Sequence, residues 1–598
     1  MKSIINIIIE YNMKINKILI SAMLLGGSAM MTTSCNDWLT TDPESFIGPE
    51  NLGDSKEAVD QWVTGVYSNW LYDMMCWGEF PRVLELDCDY ISGPDWLLAH
   101  LGAGDFQGES SLDKMWKGPY NLINDANKAI RYIQAMGNVS DEYKNNAIGE
   151  MEFQKAFAYF LLVRAYGPVP FKETDVTVSG SYNDPRMPVA EVYEKIISLL
   201  EDAASKMYKI DDAGYQKGHV AAGSAAGLLV KVYCTMASAA MPAETPITIR
   251  TGEPYRTVFD QLSQKDIQVY NTPAAVTLKK QVVSGYENLN SAELYAKAIE
   301  WGKKLVAGEY GNYYLSDYAD LWKASNRQAP EFMWAVECLD GDTKYRNQVH
   351  TFYSGYKASA SSEFIYSGGW VGCTYNWYAL FDDSDLRILD GVRHVWRYYY
   401  QESYNGAFYY PQAWRARVTG YDLYGNSVPD EQEQKYKDMG YNFQNNTSSE
   451  CLAFTTKYED CKNSASDYTD AQWPFLRYAD VLLCLSEALN ETDQPDDAIK
   501  YLNQVRQRSN AHLMDANPGK NSLRSSIIEE RAKELACEGD RRWDLIRWGI
   551  YLDAMNAIGG FDDSGINKNR TERNLLYPIP ADEISANDAI KENNPGWN

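Results

Sequence analysis

The sequence predicts a mainly α protein, a scaffold of paired helices supporting a loop-rich lobe with short strands. Three observations lead there. Apolar residues recur at helical spacing in segments that come in twos across short connections. Between the pairs lie long stretches dense in Tyr, Trp, Ser and Gly, and loops that long usually carry function. Finally, residues 527–549 combine helical apolar spacing with charges so dense that they must pair internally.

The chain opens with an address. In Met13–Ser34, Lys14 and Lys17 precede an apolar run, Ile18–Met31, shorter than the roughly 20 residues a spanning helix needs. Met13 is therefore the expected start, and 1–34 the expected signal segment. Thr32-Thr33-Ser34-Cys35 resembles a relaxed lipobox, which makes Cys35 the lipidated first residue of the mature chain. Ordinary signal cleavage beside a chance cysteine is the plainer alternative. Several acyl chains at about 0.8 kcal/mol per buried methylene would anchor the protein firmly.

Residues 54–72 place Val59, Trp62, Val63, Val66, Tyr67 and Trp70 along one side of a helix. Residues 84–108 begin like a strand and pass into a Gly- and aromatic-rich loop. Trp116, Tyr120, Ile123 and Ala126 return to helical spacing. The stretch 149–171 is a strongly apolar helix stopped by Gly167, Pro168 and Pro170, and 188–206 is its partner. Segments 218–238 and 291–308 form a second pair, and 475–491 and 495–509 a third. Small residues such as Ala226, Gly227 and Ala488 let the partners approach. These pairs resemble tetratricopeptide units, whose faces are buried only against their neighbours. The aromatic excess collects in the insertions 352–381 and 396–424.

In 527–549, Ile527, Ile528, Ala532, Leu535 and Ala536 form an inward face, leaving Glu529, Glu530, Lys533 and Glu534 to the others. Gly539 is suited to a left-handed helix end and Asp540 to the cap of the next helix, which Gly549 closes. Arg531, Glu534, Glu538, Arg541, Arg542 and Asp544 are expected to form an Arg–carboxylate network that is structural and not a catalytic dyad.

Composition narrows the function. The 598 residues carry a net charge of −26, which opposes nucleic-acid binding, where a basic footprint is needed. The 44 Tyr and 17 Trp exceed what 17 Phe would lead one to expect, and both residues suit wet binding surfaces. The five histidines are far apart, and no HExxH, GxSxG or Walker pattern occurs, so no metal or cofactor is expected. Asp382, Asp383 and Asp385 lack calcium-loop spacing and read as a helix cap with a salt bridge. Cys234, Cys484 and Cys537 fit buried thiols. Cys76 with Cys88, or Cys451 with Cys461, are possible pairs that spacing leaves open.

The motif ER-x-x-EL-x-x-EG-x-R-x-x-DL-x-R-W-G (530–549) resembles the C-terminal signature of the SusD/RagB family. So do W-x-x-x-Y-x-x-I-x-x-AN (116–127), the helix 149–171, PIP-x-x-EI (578–584) and NPGW (594–597). The blocks are in order and span nearly the whole mature chain, which divides into an N-terminal region, 35–240, and a C-terminal region, 241–598. The resemblance implies the SusD-like fold and a non-enzymatic lipoprotein on the outer-membrane surface. It would capture glycan and pass it to a SusC-like TonB-dependent transporter. A surface glycoside hydrolase and a protein-binding assembly module are the rival readings. Family members place their glycan site on the loop-rich face, which points to Arg82, Asp87, Asp89, Asp95 and Trp96 in the first segment. In the second it points to Tyr366, Trp370, Tyr375, Asn376 and Trp377. Flat rings would stack on sugars, and Arg, Asp and Asn would bind hydroxyls. Packing is the competing role for each, above all for Trp377.

Overall fold

The computed structural model describes residues 52–75, 79–340, 345–357, 365–393, 397–398, 452–560 and 566–597, apart from positions 99, 108, 254, 261–263, 272, 368 and 383. The signal segment, Cys35, Cys76, Cys451 and most of the second aromatic insertion lie outside the described residues.

Helix α1 (Lys56–Asn69) is capped by Ser55, whose hydroxyl accepts from the Ala58 N–H, and buries Val59, Val63 and Val66. Helix α2 (Glu79–Glu85) follows, so the expected strand near residue 84 is a helix end that leads into bends. The carboxylates there are drawn inward, as described below. Two long helices, α3 (Ser110–Ala135) and α4 (Asp141–Tyr166), then pack together, and α4 ends at Gly167 with φ +70°. Helix α5 (Val189–Lys206) pairs with α4, and α6 (Ala222–Ala239) with α7 (Ser291–Val306). Helix α6 is buried along its whole length, as a helix apolar all round must be. A Cβ on its Gly227 would stand 2.7 Å from Met333 Cε and 3.1 Å from Val481 Cγ2, so glycine sets that approach.

The third pair is α8 (Tyr478–Glu491) with α9 (Pro495–Arg508), and α10 (Lys520–Glu534) packs on both. Consecutive pairs touch, α5 on α6 and α7 on α8, so the helices of 110–534 form a continuous stack. All of the expected pairs are present. Short helices α11 (Arg541–Arg547) and α12 (Tyr551–Asn556) close the stack.

The strands are few and short. Strand β1 (Ile91–Ser92) pairs antiparallel with β7 (Gly372–Cys373), and β6 (Phe332–Val336) with β8 (Trp473–Arg477). Between α6 and α7 the chain makes a two-part ribbon. Strand β2 (Pro246–Thr251) pairs with β5 (Ala274–Lys279), while β3 (Tyr255–Asp260) pairs with β4 (Lys265–Tyr270). Strand β2 lies against α10. The described residues from Ser55 onward form one compact unit, and no described helix is long and apolar enough to cross a membrane.

The charge-rich stretch is a clasp. Glu530, Lys533 and Glu534, which the spacing left to the other faces of α10, are buried: arginines from other elements meet Glu530 and Glu534, and Lys533 pairs with Glu529 at 3.0 Å one turn away. Arg477 reaches Glu331 (2.7 Å), Glu534 (2.9 Å) and Glu538 (2.7 Å). Arg387 joins Asp385 (2.7 Å), Glu530 (2.5 Å) and Glu534 (3.1 Å). Arg531 bridges Asp480 (2.6 Å) and Asp544 (2.8 Å), and Arg547 ties Asp544 to Glu487. Burial alone would raise the Asp544 carboxyl, but Arg531 and Arg547 outweigh it and hold the group at about 2. Asp540 does not cap α11 as expected. Its carboxylate accepts from Lys231 at 2.7 Å. Gly539 and Gly549 do take left-handed φ of +86° and +64°. Asp385 caps the turn Leu386–Leu389 and pairs with Arg387, as its spacing suggested. Cys234, Cys484 and Cys537 are buried thiols, and Cys88 and Cys461 are free.

Candidate functional site

The register of β1 on β7 builds an exposed aromatic site. Ser92 lies opposite Gly372, so the antiparallel chains carry residues a few positions beyond Ser92 and before Gly372 to the same edge. Gly93 and Pro94 end the strand, and the Pro94 carbonyl accepts from the Leu97 and Leu98 N–H groups to make the helical turn Asp95–Leu98. That turn raises Trp96, 60% exposed, above the surface. Trp370 meets it edge-on, with ring centroids 5.0 Å apart at 80°. Phe352 stands behind at 5.4 Å from Trp370, and the Arg82 guanidinium lies 5.6 Å from the Phe352 ring. Gly93 allows the approach, because a Cβ there would sit 2.5 Å from the Trp370 carbonyl oxygen. Trp370 is held from below, where the Gly369 and Val371 N–H groups donate to the Thr351 and Phe352 carbonyls.

Thus Trp96, Trp370 and Arg82 lie along one row of rings. The remaining candidates are placed elsewhere. Asp87 is fully buried, shared by Arg542 and Arg570 (3.0 Å), and accepts from the Tyr551 hydroxyl at 2.6 Å. Asp89, 2% exposed, accepts from Arg541 Nε and Nη2 at 2.8 and 2.7 Å. Both carboxylates serve the clasp, because unpaired arginines there would cost far more than a sugar contact returns. Tyr375, Asn376 and Trp377 form a buried helical turn. Asn376 donates to the Gly252 carbonyl at 2.9 Å, and Trp377 Nε1 to the Ala532 carbonyl at 2.8 Å. Packing therefore claims these three. The side chains of Asp95 and Tyr366 lie outside the described ones. Phe352, which the sequence reading did not single out, is the buttress of the row, and its only sequence signal is a place in the aromatic insertion.

The exposed row offers flat apolar faces with a cation behind them, an arrangement for contact with a ligand that has both C–H faces and polar edges. Among the described residues, no group of three His, Cys, Asp or Glu side chains is placed to hold a metal ion.

Fold and site together define a mainly α helix-pair protein with a surface aromatic site. The chain belongs to the SusD/RagB family. A family model described as "SusD family" matches residues 330–597, and one described as "Starch-binding associating with outer membrane" matches 37–234. SusD-like protein P2 of Formosa agariphila is 23% identical over 581 residues, covering 94% of this chain and 97% of the relative. Starch-binding protein SusD of Bacteroides thetaiotaomicron is 30% identical over 133 residues, 22% of each chain. Among solved structures, a SusD homolog from Bacteroides thetaiotaomicron superposes with a TM-score of 0.68 at 19% identity, covering 92% of this chain and 98% of the other. Surface glycan-binding protein A from the same species gives 0.62 at 16% identity, covering 90% and 98%.

Proposed function

We propose that this protein is a non-catalytic glycan-binding lipoprotein of the outer-membrane surface. It holds oligosaccharide against Trp96 and Trp370 and passes it to a SusC-like TonB-dependent transporter. The observation that carries the reading is the exposed Trp96 ring set edge-on to Trp370. Burying a large ring normally stabilises a fold, so leaving one out on a buttressed row favours a ligand that covers it. The membership of the chain in a family with starch-binding and glycan-binding relatives supports the ligand class. The Cys35 lipobox supports surface anchoring, with the acyl chains in the outer membrane and the folded body in solvent.

The experiment is a glycan array with the mature protein, followed by uptake measurements in a strain lacking the gene. Binding to a defined glycan and slower uptake of that glycan are expected. Absence of binding across the array together with unchanged uptake would remove the reading.

A further inference from the structure

A second concavity lies away from the tryptophan row. The β2–β5 ribbon and helix α10 enclose a cavity of about 310 Å³, in the size range of roughly 300–1,000 Å³ typical of small-molecule sites. One wall is the α10 face that carries Ser525, Ser526 and Glu529, which share a side at helical spacing. The opposite wall is Thr248 and Arg250, two apart on β2 and hence on one face of the strand. The Arg250 guanidinium meets the Glu529 carboxylate at 3.3 Å and joins the walls at the rim.

The floor is built and buried. Tyr90, whose hydroxyl donates to the Arg250 carbonyl at 2.9 Å, lies under the Arg541 guanidinium, 4.5 Å from its ring centroid. Arg541 is 6% exposed and commits Nε and Nη2 to Asp89. Its Nη1 donates to no acceptor among the described residues, although the side chain lines the cavity. That guanidinium edge opens to the cavity, where water or a ligand supplies its acceptor.

We propose that this cavity is a binding site for a single sugar unit, separate from the Trp96–Trp370 row. The Ser526 hydroxyl, the remaining lone pairs of the Ser525 and Thr248 hydroxyls (bonded to the Asn521 carbonyl and to Thr277), the rim ion pair and the free Arg541 Nη1 match the mixed donors and acceptors of a polyhydroxylated ring. An apolar ligand would strip water from these groups with no return. A phosphate would meet Asp89 and Glu529 beside the two arginines. The volume suits a terminal residue or one unit, not a chain. Through Tyr90 the cavity adjoins β1, the strand that leads to Trp96, so a glycan held on the row and a released unit could be bound on the same support.

The ligand class rests on the glycan-binding reading, but the location does not, and the test separates them. Saturation-transfer NMR is run on the full mature chain with D-glucose, D-galactose, D-mannose, D-xylose and D-glucuronate. The same spectra are taken for Trp96→Ala, for Ser526→Trp, which fills the cavity, and for Arg250→Ala at its exposed rim. At least one sugar should bind with millimolar affinity, keep that affinity in Trp96→Ala, and weaken about tenfold or more in both cavity variants. If none of the five binds, or if Ser526→Trp and Arg250→Ala bind as the wild type does, the cavity is not a sugar site. Should Ser526→Trp fail to fold, Arg250→Ala decides. Failure of the wider reading looks different, because array oligosaccharides would then bind neither wild type nor any variant.

Discussion

Arg541 and Asp89 lie far apart in the sequence, yet Arg541 donates two hydrogen bonds to the Asp89 carboxylate, at 2.8 and 2.7 Å, inside the protein. This pair ties the segment that raises Trp96 to the C-terminal clasp. The clasp therefore supports the Trp96–Trp370 row without forming part of it, and its residues should act on stability.

Replacing Arg531 or Asp544 by Ala leaves the other charge of a buried pair without its partner. Such losses cost about 3–5 kcal/mol, so either variant should melt well below wild type while the folded fraction binds glycan normally. Acid has the same target. Asp544 is held at about 2, below its ordinary value, so its contribution is complete above the ordinary carboxylate range and fades as pH falls toward 2. Thermal melts across the acid range, compared with Asp544→Asn, would show the loss of this slope. A wild-type melting profile in Arg531→Ala would contradict the clasp.

Asp87→Asn and Asp89→Asn divide the two roles proposed for these carboxylates. Each should lower thermal stability, because Arg542 and Arg570, or Arg541, lose their charge partner. Affinity per folded molecule should stay within about twofold of wild type by calorimetry. Lost affinity with an unchanged melt would return these residues to the ligand.

Glu85 should give the opposite pH dependence. Burial raises its carboxyl to about 8, although the Gly539 and Cys537 N–H groups donate to it and pull the other way. Folding thus favours the protonated form. Its stabilising contribution is full below the ordinary glutamate value of 4.5, and fades as pH rises through about 8. Glu85→Gln should flatten the stability profile between about pH 5 and pH 9. A profile as steep as wild type would rule Glu85 out as its source.

Gly93→Ala tests how the row is assembled. The added Cβ would press on the Trp370 carbonyl oxygen, and overpacking of this kind costs about 1–3 kcal/mol. The variant should lose both melting temperature and glycan affinity, since Trp370 must shift. An unchanged affinity would mean that the Trp96–Trp370 geometry does not matter to binding.

The helix pairs were readable because burial against a neighbour imposes the helical spacing that Ile196, Leu200 and Ala203 display along α5. Charge density around Arg531 likewise announced an internal network. What stayed hidden was any property set by distant partners. Nothing near Asp87 in sequence reveals Arg542, so a buried ion pair read as a candidate contact for sugar hydroxyls. Tyr375 and Trp377 sit in a Gly-rich stretch that resembles a binding loop, yet a helical turn directs both rings inward. Trp96 meets Trp370 through a strand pairing two residues long, too short to leave a pattern. The cavity leaves no sequence signal, because Ser525 and Ser526 on α10 and Thr248 and Arg250 on β2 form no motif and meet only in the fold.

The most direct test is calorimetry of wild type, Trp96→Ala and Trp370→Ala against the oligosaccharide selected on the array. Trp96→Ala should melt like wild type and lose about 2 kcal/mol of binding free energy, roughly a thirtyfold weaker Kd. Trp370→Ala should lose at least as much. Wild-type affinity in a normally melting Trp96→Ala variant would contradict the assignment of this row as the glycan site.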